Sequence, residues 1–355
     1  SDRTLLQTIL LFAGAAAAGY LFDLAHVPMG WMLGPMAAGI AWVFRTGRPM
    51  QMWSGYTALG QAVFGISTGA GFPLATLLMA ASHGAPLILA VVITGGLALL
   101  NGYFLWKWAG IDRATGFMGS LPGAANTMVA MADEMGADAV VVAVLQYWRL
   151  ILVMFVAPLA VHALFPAPAA AGAASSVAAA GAGAGVHWAV NLLVLAACGV
   201  AGAWLGRLVK LPSPTFLGPF LTMLLVAWTT PYHWVMPPWL FKGAMLLVGV
   251  TIGVRFDVAT AKRLGKAALI ETGLVLALIG ICLGVGYGFH LVTGVGTMTS
   301  VLGSTPGAMD VMVASAYELG ADPGMVLAMQ LTRWFLILMA GPWVTVRLVQ
   351  VRKTA

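Results

Sequence analysis

One segment of the sequence occurs twice. Residues 119–138 read GSLPGAANTMVAMADEMGAD, and residues 303–322 read GSTPGAMDVMVASAYELGAD, 184 positions later. The same offset relates Leu33-Gly34-Pro35 to Leu217-Gly218-Pro219, Gly65, Gly69 and Phe72 to Gly249, Gly253 and Phe256, and Gln146, Arg149 and Pro158 to Gln330, Arg333 and Pro342. An ungapped register of this length indicates an internal duplication. The fold must therefore accommodate two copies of one unit.

The composition excludes an ordinary soluble domain. The chain is 61% apolar and only 8% charged, whereas soluble domains carry about 25% charged residues. This is typical of an all-α polytopic membrane protein. Its net charge of +6 does not indicate nucleic acid, because in a membrane protein the position of the charges matters more than their sum. Cys198 and Cys282 lie in apolar runs without a disulfide or metal-ligand pattern.

Apolar windows long enough to cross a bilayer occur five times in each copy. They fall at roughly 4–24, 28–45, 54–72, 85–109 and 139–165, and again at roughly 187–208, 212–230, 238–256, 268–293 and 323–347. Three regions follow, namely a first membrane repeat at 1–165, an external Ala/Gly/Pro-rich linker at 166–186 and a second repeat at 187–355.

An odd number of spans predicts that the second repeat is inverted relative to the first. The distribution of basic residues agrees with this prediction. Segment 257–266 is basic, whereas its equivalent 73–82 carries no charge, as the positive-inside rule requires for opposite orientations. We expect ten spans in a bacterial-type inner (plasma) membrane, with both termini cytoplasmic.

The repeated Ser-x-Pro-Gly motif predicts a broken or re-entrant helix near the midplane of each repeat, beginning at Pro122 and at Pro306. Irregular backbone at membrane depth must be buried or line a wet cavity, and a helix N-terminus in such a cavity attracts anions. An alternative is two Pro-kinked helices packed by glycine. The predicted substrate contacts in these segments are Ser120, Gly123, Asn126, Thr127, Ser304, Thr305 and Gly307.

Three charged residues are predicted at membrane depth. Asp310 stands where the first copy has Asn126, and it is the candidate for ion coupling, although it could simply favour its own helix N-terminus. Arg149 and Arg333 are predicted to bind an anionic substrate, since arginine matches carboxylate or phosphate. They could equally clamp carbonyl groups at the broken-helix tips, and Gln146 and Gln330 lie one turn earlier on the same face.

Other acidic residues have less direct interpretations. Asp138 and Asp322 are predicted to be helix caps, because Asp322 precedes Pro323. Glu134 and Glu318 are expected to lie back at the interface, and so is Glu271, which lies near the start of its span.

The two motif segments, the downstream Gln-x-x-Arg and the paired Leu-Gly-Pro resemble the AbrB-type duplicated membrane protein family over essentially the whole chain. Members are often labelled ammonia monooxygenases or regulators. An enzyme is not expected, because metal catalysis needs clustered ligands and the six histidines are isolated. No cofactor and no metal site are predicted.

The leading hypothesis is a secondary active transporter of a small organic anion, coupled to protons or sodium. One bundle would move against another around a site between the opposed broken-helix tips. A passive anion channel and a non-transporting scaffold or regulator are the alternatives. The expected partners are a small anionic solute, the lipid bilayer and the coupling ion, with no nucleic acid. Whether the chain forms a homo-oligomer is left open.

Overall fold

The computed structural model describes residues 2–47, 49–50, 52–72, 74–121, 132, 137–165, 187–211, 213–256 and 264–350. Regular structure in these ranges consists of fourteen helices, with no strand. The first seven are α1 (Asp2–Leu24), α2 (Gly30–Thr46), α3 (Ser54–Ala70), α4 (Leu74–Ser82), α5 (Gly84–Ala109), α6 (Arg113–Ser120) and α7 (Ala139–Leu164). The others are α8 (Trp188–Leu208), α9 (Pro214–Thr229), α10 (Pro238–Gly253), α11 (Gly265–Thr293), α12 (Thr297–Ser304), α13 (Met309–Glu318) and α14 (Pro323–Gln350).

The helix boundaries repeat at the offset found in the sequence. Adding 184 to the bounds of α6 gives those of α12, and the starts of α2, α3 and α7 coincide in the same way with those of α9, α10 and α14. The equivalents of α4 and α13 lie wholly or largely outside the described residues. The duplication therefore extends to local structure wherever both copies are described.

Within the described ranges, five helices are long and apolar enough to cross a membrane, namely α1, α5, α7, α8 and α11. The apolar helices α9 and α10 have only 16 residues each, or about 24 Å at 1.5 Å per residue, which is less than the ~30 Å of hydrocarbon. The chain is therefore a helical protein of membrane type that contains both long and short apolar helices.

The helices form two bundles, and each bundle draws on both copies. The glycine bundle contains α1–α3 and α8–α10, and the clamp bundle contains α4–α7 and α11–α14. Within the glycine bundle, helices of the first copy pack on helices of the second. Helix α2 packs on α10, and its equivalent α9 packs on α3, the equivalent of α10. Neither copy forms a bundle of its own.

Glycine permits these close contacts. Gly65 of α3 lies against the carbonyl oxygen of Phe216 in α9, and its equivalent Gly249 in α10 lies against that of Met32 in α2. A Cβ at either glycine would collide with the oxygen. Small residues let membrane helices approach closely enough for dispersion forces to hold them. The duplicated glycines thus give the glycine bundle two matching interfaces.

Apolar side chains fill much of the boundary between the bundles. A single buried cluster continues from Phe64 and Phe241 in the glycine bundle to Val301 and Val311 in the clamp bundle. The ring centroids of Phe241 and Tyr317 are 4.6 Å apart across this boundary. A polar contact also joins the two bundles at the start of α13.

Candidate functional site

The chain leaves helical geometry between α12 and α13. Helix α13 begins at Met309, so the prediction that it begins at Pro306 is wrong. The N–H of Gly307 donates to the carbonyl of Thr305 at 3.0 Å, which puts Pro306 at the centre of a three-residue turn. The fixed φ of proline suits this position, and the helix starts only after the turn. The other predicted start, Pro122, lies outside the described residues.

Two side chains of α14 bind the C-terminal end of α12. Nε2 of Gln330 donates to the carbonyls of Leu302 and Thr305 at 3.3 and 3.1 Å. Nη1 of Arg333 donates to the carbonyl of Ser304 at 3.3 Å, and its Nη2 donates to Oε1 of Gln330. We call this set of contacts the α14 clamp.

An equivalent α7 clamp binds the end of α6. Nε2 of Gln146 donates to the carbonyls of Met118 and Leu121 at 2.8 and 3.0 Å. Nη1 of Arg149 donates to the carbonyl of Ser120 at 2.6 Å, and its Nη2 donates to Oε1 of Gln146 at 2.6 Å. The two copies therefore use the same residues for the same purpose.

Both clamps satisfy carbonyl groups that a helix end leaves without an intrahelical partner. Arg149 and Arg333 are only 6% and 4% exposed. Each guanidinium carries five N–H donors, and the contacts above engage two of its three nitrogens. The clamping role that the sequence left open is thus seen directly. Contact of the same arginines with a substrate stays a prediction.

A cavity of about 560 Å³ lies between the two bundles. The glycine bundle lines it with Gln61 and residues 213–215, and the clamp bundle with Arg149, Arg333 and residues 306–311. Its volume is within the range of about 300–1,000 Å³ that is usual for small-molecule sites. The cavity therefore brings both clamps and the start of α13 to one space.

Asp310 connects the bundles at this cavity. It lies in the first turn of α13 and is 8% exposed. Nε2 of Gln61 in α3 donates to its Oδ2 at 3.0 Å, and Oε1 of Gln61 accepts from the hydroxyl of Thr215 in α9. Two consecutive hydrogen bonds thus join α13 to two helices of the glycine bundle.

The start of α13 has no side-chain cap. Its N-cap residue is Ala308, which offers no oxygen to the free N–H groups of the first turn. The carboxylate of Asp310 interacts with the backbone N–H of Val311, which agrees with the alternative that the acid favours its own helix N-terminus. That arrangement does not exclude ion binding, because Asp310 also lines the cavity.

The predicted site residues divide into three groups. Arg149, Arg333, Gly307 and Asp310 line the cavity. Ser120, Ser304 and Thr305 are buried, and their hydroxyls donate to carbonyls of their own helices at 3.1, 2.8 and 2.8 Å. These three are not among the residues that line the cavity, so their contact with substrate stays a prediction. Gly123, Asn126 and Thr127 lie outside the described residues.

Sequence reasoning missed three polar residues that the structure buries or brings to the cavity. Gln61 and Thr215 were not singled out. Glu271, expected at the interface, is 0% exposed. Comparison of the copies could have found them, since the equivalent residues are Met245, Trp31 and Leu87. A polar residue in only one copy marks a position that the common architecture does not require.

The predicted caps are confirmed. Oδ1 of Asp138 accepts from the N–H groups of Val140 and Val141 at 3.0 and 3.1 Å. Oδ1 of Asp322 accepts from those of Gly324 and Met325 at 2.9 and 3.1 Å. These aspartates start α7 and α14 and thereby fix the helices that carry the clamps.

Comparisons with known proteins find similarity to one family model and to relatives in two bacteria. The model of the family described as "Transition state regulatory protein AbrB" matches residues 31–349. The chain is 29% identical to "Putative regulator AbrB" of Escherichia coli (strain K12), over 90% of each chain. It is also 29% identical to "Uncharacterized protein YhjN" of Bacillus subtilis (strain 168), over 96% of this chain and 93% of that protein. No solved structure matches.

Proposed function

We propose a function for this chain, which belongs to the AbrB family, from the geometry of its site. The names of the two relatives state no established activity. The protein is a secondary active transporter of a small organic anion, with its binding site in the cavity between the glycine and clamp bundles. Its movement is coupled to protons or sodium ions.

The observation that carries this proposal is the pair of buried arginines on one cavity wall. Burying a charge is costly, and the cost is lowest where an opposite charge is supplied. Interaction between the two guanidinium groups is repulsive, so an anion bound between them relieves that repulsion. A carboxylate suits the planar N–H donors of arginine. The start of α13, which has no side-chain cap from its N-cap residue, lies beside the same cavity.

Asp310 supplies the coupling. Its carboxylate lines the cavity into which the anion must enter, and two negative charges in such a space repel each other strongly. A proton or a sodium ion on Asp310 removes that repulsion. Anion and cation therefore bind more tightly together than apart, which is the thermodynamic basis of symport.

The two bundles supply the movement. We propose that the copies are inverted repeats of five spans each, that both termini are cytoplasmic, and that the Ser-x-Pro-Gly segments are broken crossings. In that topology the cavity residues Leu211, 213–215 and Arg255 belong to the cytoplasmic side. The described arrangement then corresponds to a cytoplasm-facing state, and rocking of one bundle against the other would open the opposite side.

The test begins with thermal unfolding of the purified protein against small carboxylates and phosphate-bearing metabolites, with and without sodium and across pH. A ligand of the folded state at a hundredfold excess over its Kd stabilises by about 2.7 kcal/mol. We expect one anion class to stabilise the wild type and Arg333→Gln to abolish the shift. Arg45→Gln is the matched control, because Arg45 is exposed at the end of α2 and does not line the cavity.

Flux in proteoliposomes then separates the alternatives. Transport requires accumulation driven by a proton or sodium gradient and loss of that dependence in Asp310→Asn. Flux without a coupling gradient, with turnover intact in Asp310→Asn, would identify a passive channel. If no solute stabilises the protein, a regulatory role, as in the name of the Escherichia coli relative, would be favoured over transport. A protein partner should then be sought.

A further inference from the structure

The α7 clamp has a buried acidic neighbour that the α14 clamp lacks. Glu271 of α11 is 0% exposed, and its charge interacts with the guanidinium of Arg149 and with the amide of Asn101 in α5. Among the described residues, no hydrogen-bond donor or acceptor partners either carboxylate oxygen of Glu271 or either side-chain polar atom of Asn101. This cluster of three residues lies in the clamp bundle, and only Arg149 among them lines the cavity.

The second copy is an internal control for the cluster. Leu87 and Val285 stand at the positions equivalent to Glu271 and Asn101. Leu87 packs in an apolar cluster with Met325 and Met329 of α14. The α14 clamp nevertheless holds the end of α12 through the same contacts. The clamp fold therefore does not require a carboxylate.

A permanently charged Glu271 is poorly explained by these contacts. A buried carboxylate is normally held by two or three hydrogen bonds, and leaving it without donors is expensive. Among the described residues, the helices packed against α11 are α5, α7 and α12. From α7, the charged group that faces Glu271 is Arg149. From α5 it is faced by Asn101, which is neutral. Helix α12 carries no titratable side chain. The site thus favours a group whose charge can change.

We propose that Glu271 is a proton-binding site whose charge state controls how strongly Arg149 attracts the transported anion. This inference rests on the proposed function and names its coupling ion as the proton. With Glu271 ionised, its negative charge opposes the positive charge of Arg149, and Arg149 attracts an anion in the cavity less strongly than Arg333 does. When an Oε of Glu271 takes a proton from water, Arg149 loses its counter-charge and becomes a second attractive group. Proton uptake and anion binding then favour each other.

A metal cation is a poor occupant of the same position. The positive guanidinium of Arg149 would repel sodium there, and Asn101 offers a single amide oxygen. A proton needs no coordination shell, because it is held by one covalent O–H bond. The chemistry of the cluster therefore selects a proton.

Infrared difference spectroscopy of the purified full chain, titrated with pH in water and in deuterated water, tests the site without a substrate. We expect a band of a protonated carboxylic acid that disappears on titration, that is lost in Glu271→Gln and that remains in Asp310→Asn. Asn101→Val introduces the residue that the other copy already carries. It should keep the band and extend it to higher pH, because the charged form loses a polar neighbour.

A wild-type band that never titrates, or the absence of any band that depends on Glu271, would overturn the proposal. If Glu271→Gln does not fold, an unshifted titration in Asn101→Val would have the same consequence. The anion screen with Arg333→Gln is read separately. Failure of the infrared test alone leaves anion transport standing with Asp310 as the coupling residue, and failure of the anion screen alone leaves a proton site without a transported anion.

Discussion

The side-chain amide of Gln61 donates a 3.0 Å hydrogen bond to the carboxylate of Asp310, and this bond joins the glycine bundle to the clamp bundle. It is a polar contact beside a largely apolar boundary. A contact of this kind holds the bundles in one arrangement only while an oxygen of Asp310 accepts the hydrogen bond from the amide of Gln61. In the proposed transporter, ion binding at Asp310 would therefore act on the same bond that movement of the bundles must break.

Replacing Gln61 tests this relationship. Gln61→Met introduces the residue found at the equivalent position 245. We expect the free energy of unfolding to fall by about 1.5–3 kcal/mol, the usual contribution of a hydrogen bond to a charged group. Chemical unfolding in detergent measures it. In an Asp310→Asn background the loss should be smaller, and an equal loss in both backgrounds would place the effect of Gln61 elsewhere.

The clamps should contribute equally to stability. Gln146→Leu and Gln330→Leu each remove the amide that satisfies helix-end carbonyls. We expect each to lower the free energy of unfolding by about 1–3 kcal/mol for a buried group left unsatisfied. Thr229→Val is the control, since that exposed hydroxyl donates only within its own helix. Unchanged melting of both glutamine variants would refute the clamp as a stabilising contact.

Replacing glycine by alanine should lower stability at the glycines between packed helices and raise it at an open position. Gly65→Ala and Gly249→Ala place a methyl group against a backbone oxygen, and such overpacking costs about 1–3 kcal/mol. Gly95 of α5 has open space around its missing Cβ, so Gly95→Ala should instead stabilise by about 0.5–1 kcal/mol. Unfolding and size-exclusion profiles report both. Equal tolerance at all three positions would show that helix approach does not depend on glycine.

Removing the Asp322 cap should lower the free energy of unfolding more than removing the Asp138 cap. Asp138→Ala removes a cap, which costs about 0.5–2 kcal/mol. Asp322→Ala removes a cap and also a 3.1 Å hydrogen bond from the hydroxyl of Thr76 in α4, so its loss should be larger. Thermal unfolding gives the order, and ligand-induced stabilisation should remain in both variants. A larger loss for Asp138→Ala would contradict the assignment of the Thr76 contact.

Much of the architecture could be predicted from the sequence because the duplication allows one copy to check the other. The helix starts at Ala139 and Pro323, and the caps before them, follow from local hydrogen-bonding rules that tertiary structure does not change. The start of α13 could not be predicted in the same way. Pro306 is compatible both with a first helical position and with a turn, and only the Gly307–Thr305 hydrogen bond decides between them.

The site was predictable only in part, for a related reason. Depth along a helix identified Arg149, Arg333 and Asp310, but depth does not say which neighbour a side chain faces. The contacts of Gln61 and Glu271 come from helices distant in sequence, and no local pattern encodes such pairs. What the sequence does contain is the unequal polarity of the two copies, which marks both residues.

The exchange of helices between copies has a consequence for how the protein is made. Helices α2 and α3 are synthesised early, but their glycine-matched partners α10 and α9 follow only after the linker. Until then α2 lacks the glycine helix that packs on its backbone carbonyl, and α3 lacks the carbonyl that its own glycine packs on. Assembly is therefore a late event in translation, and a ribosome that stalls before residue 253 would leave an intermediate that membrane chaperones and proteases should recognise.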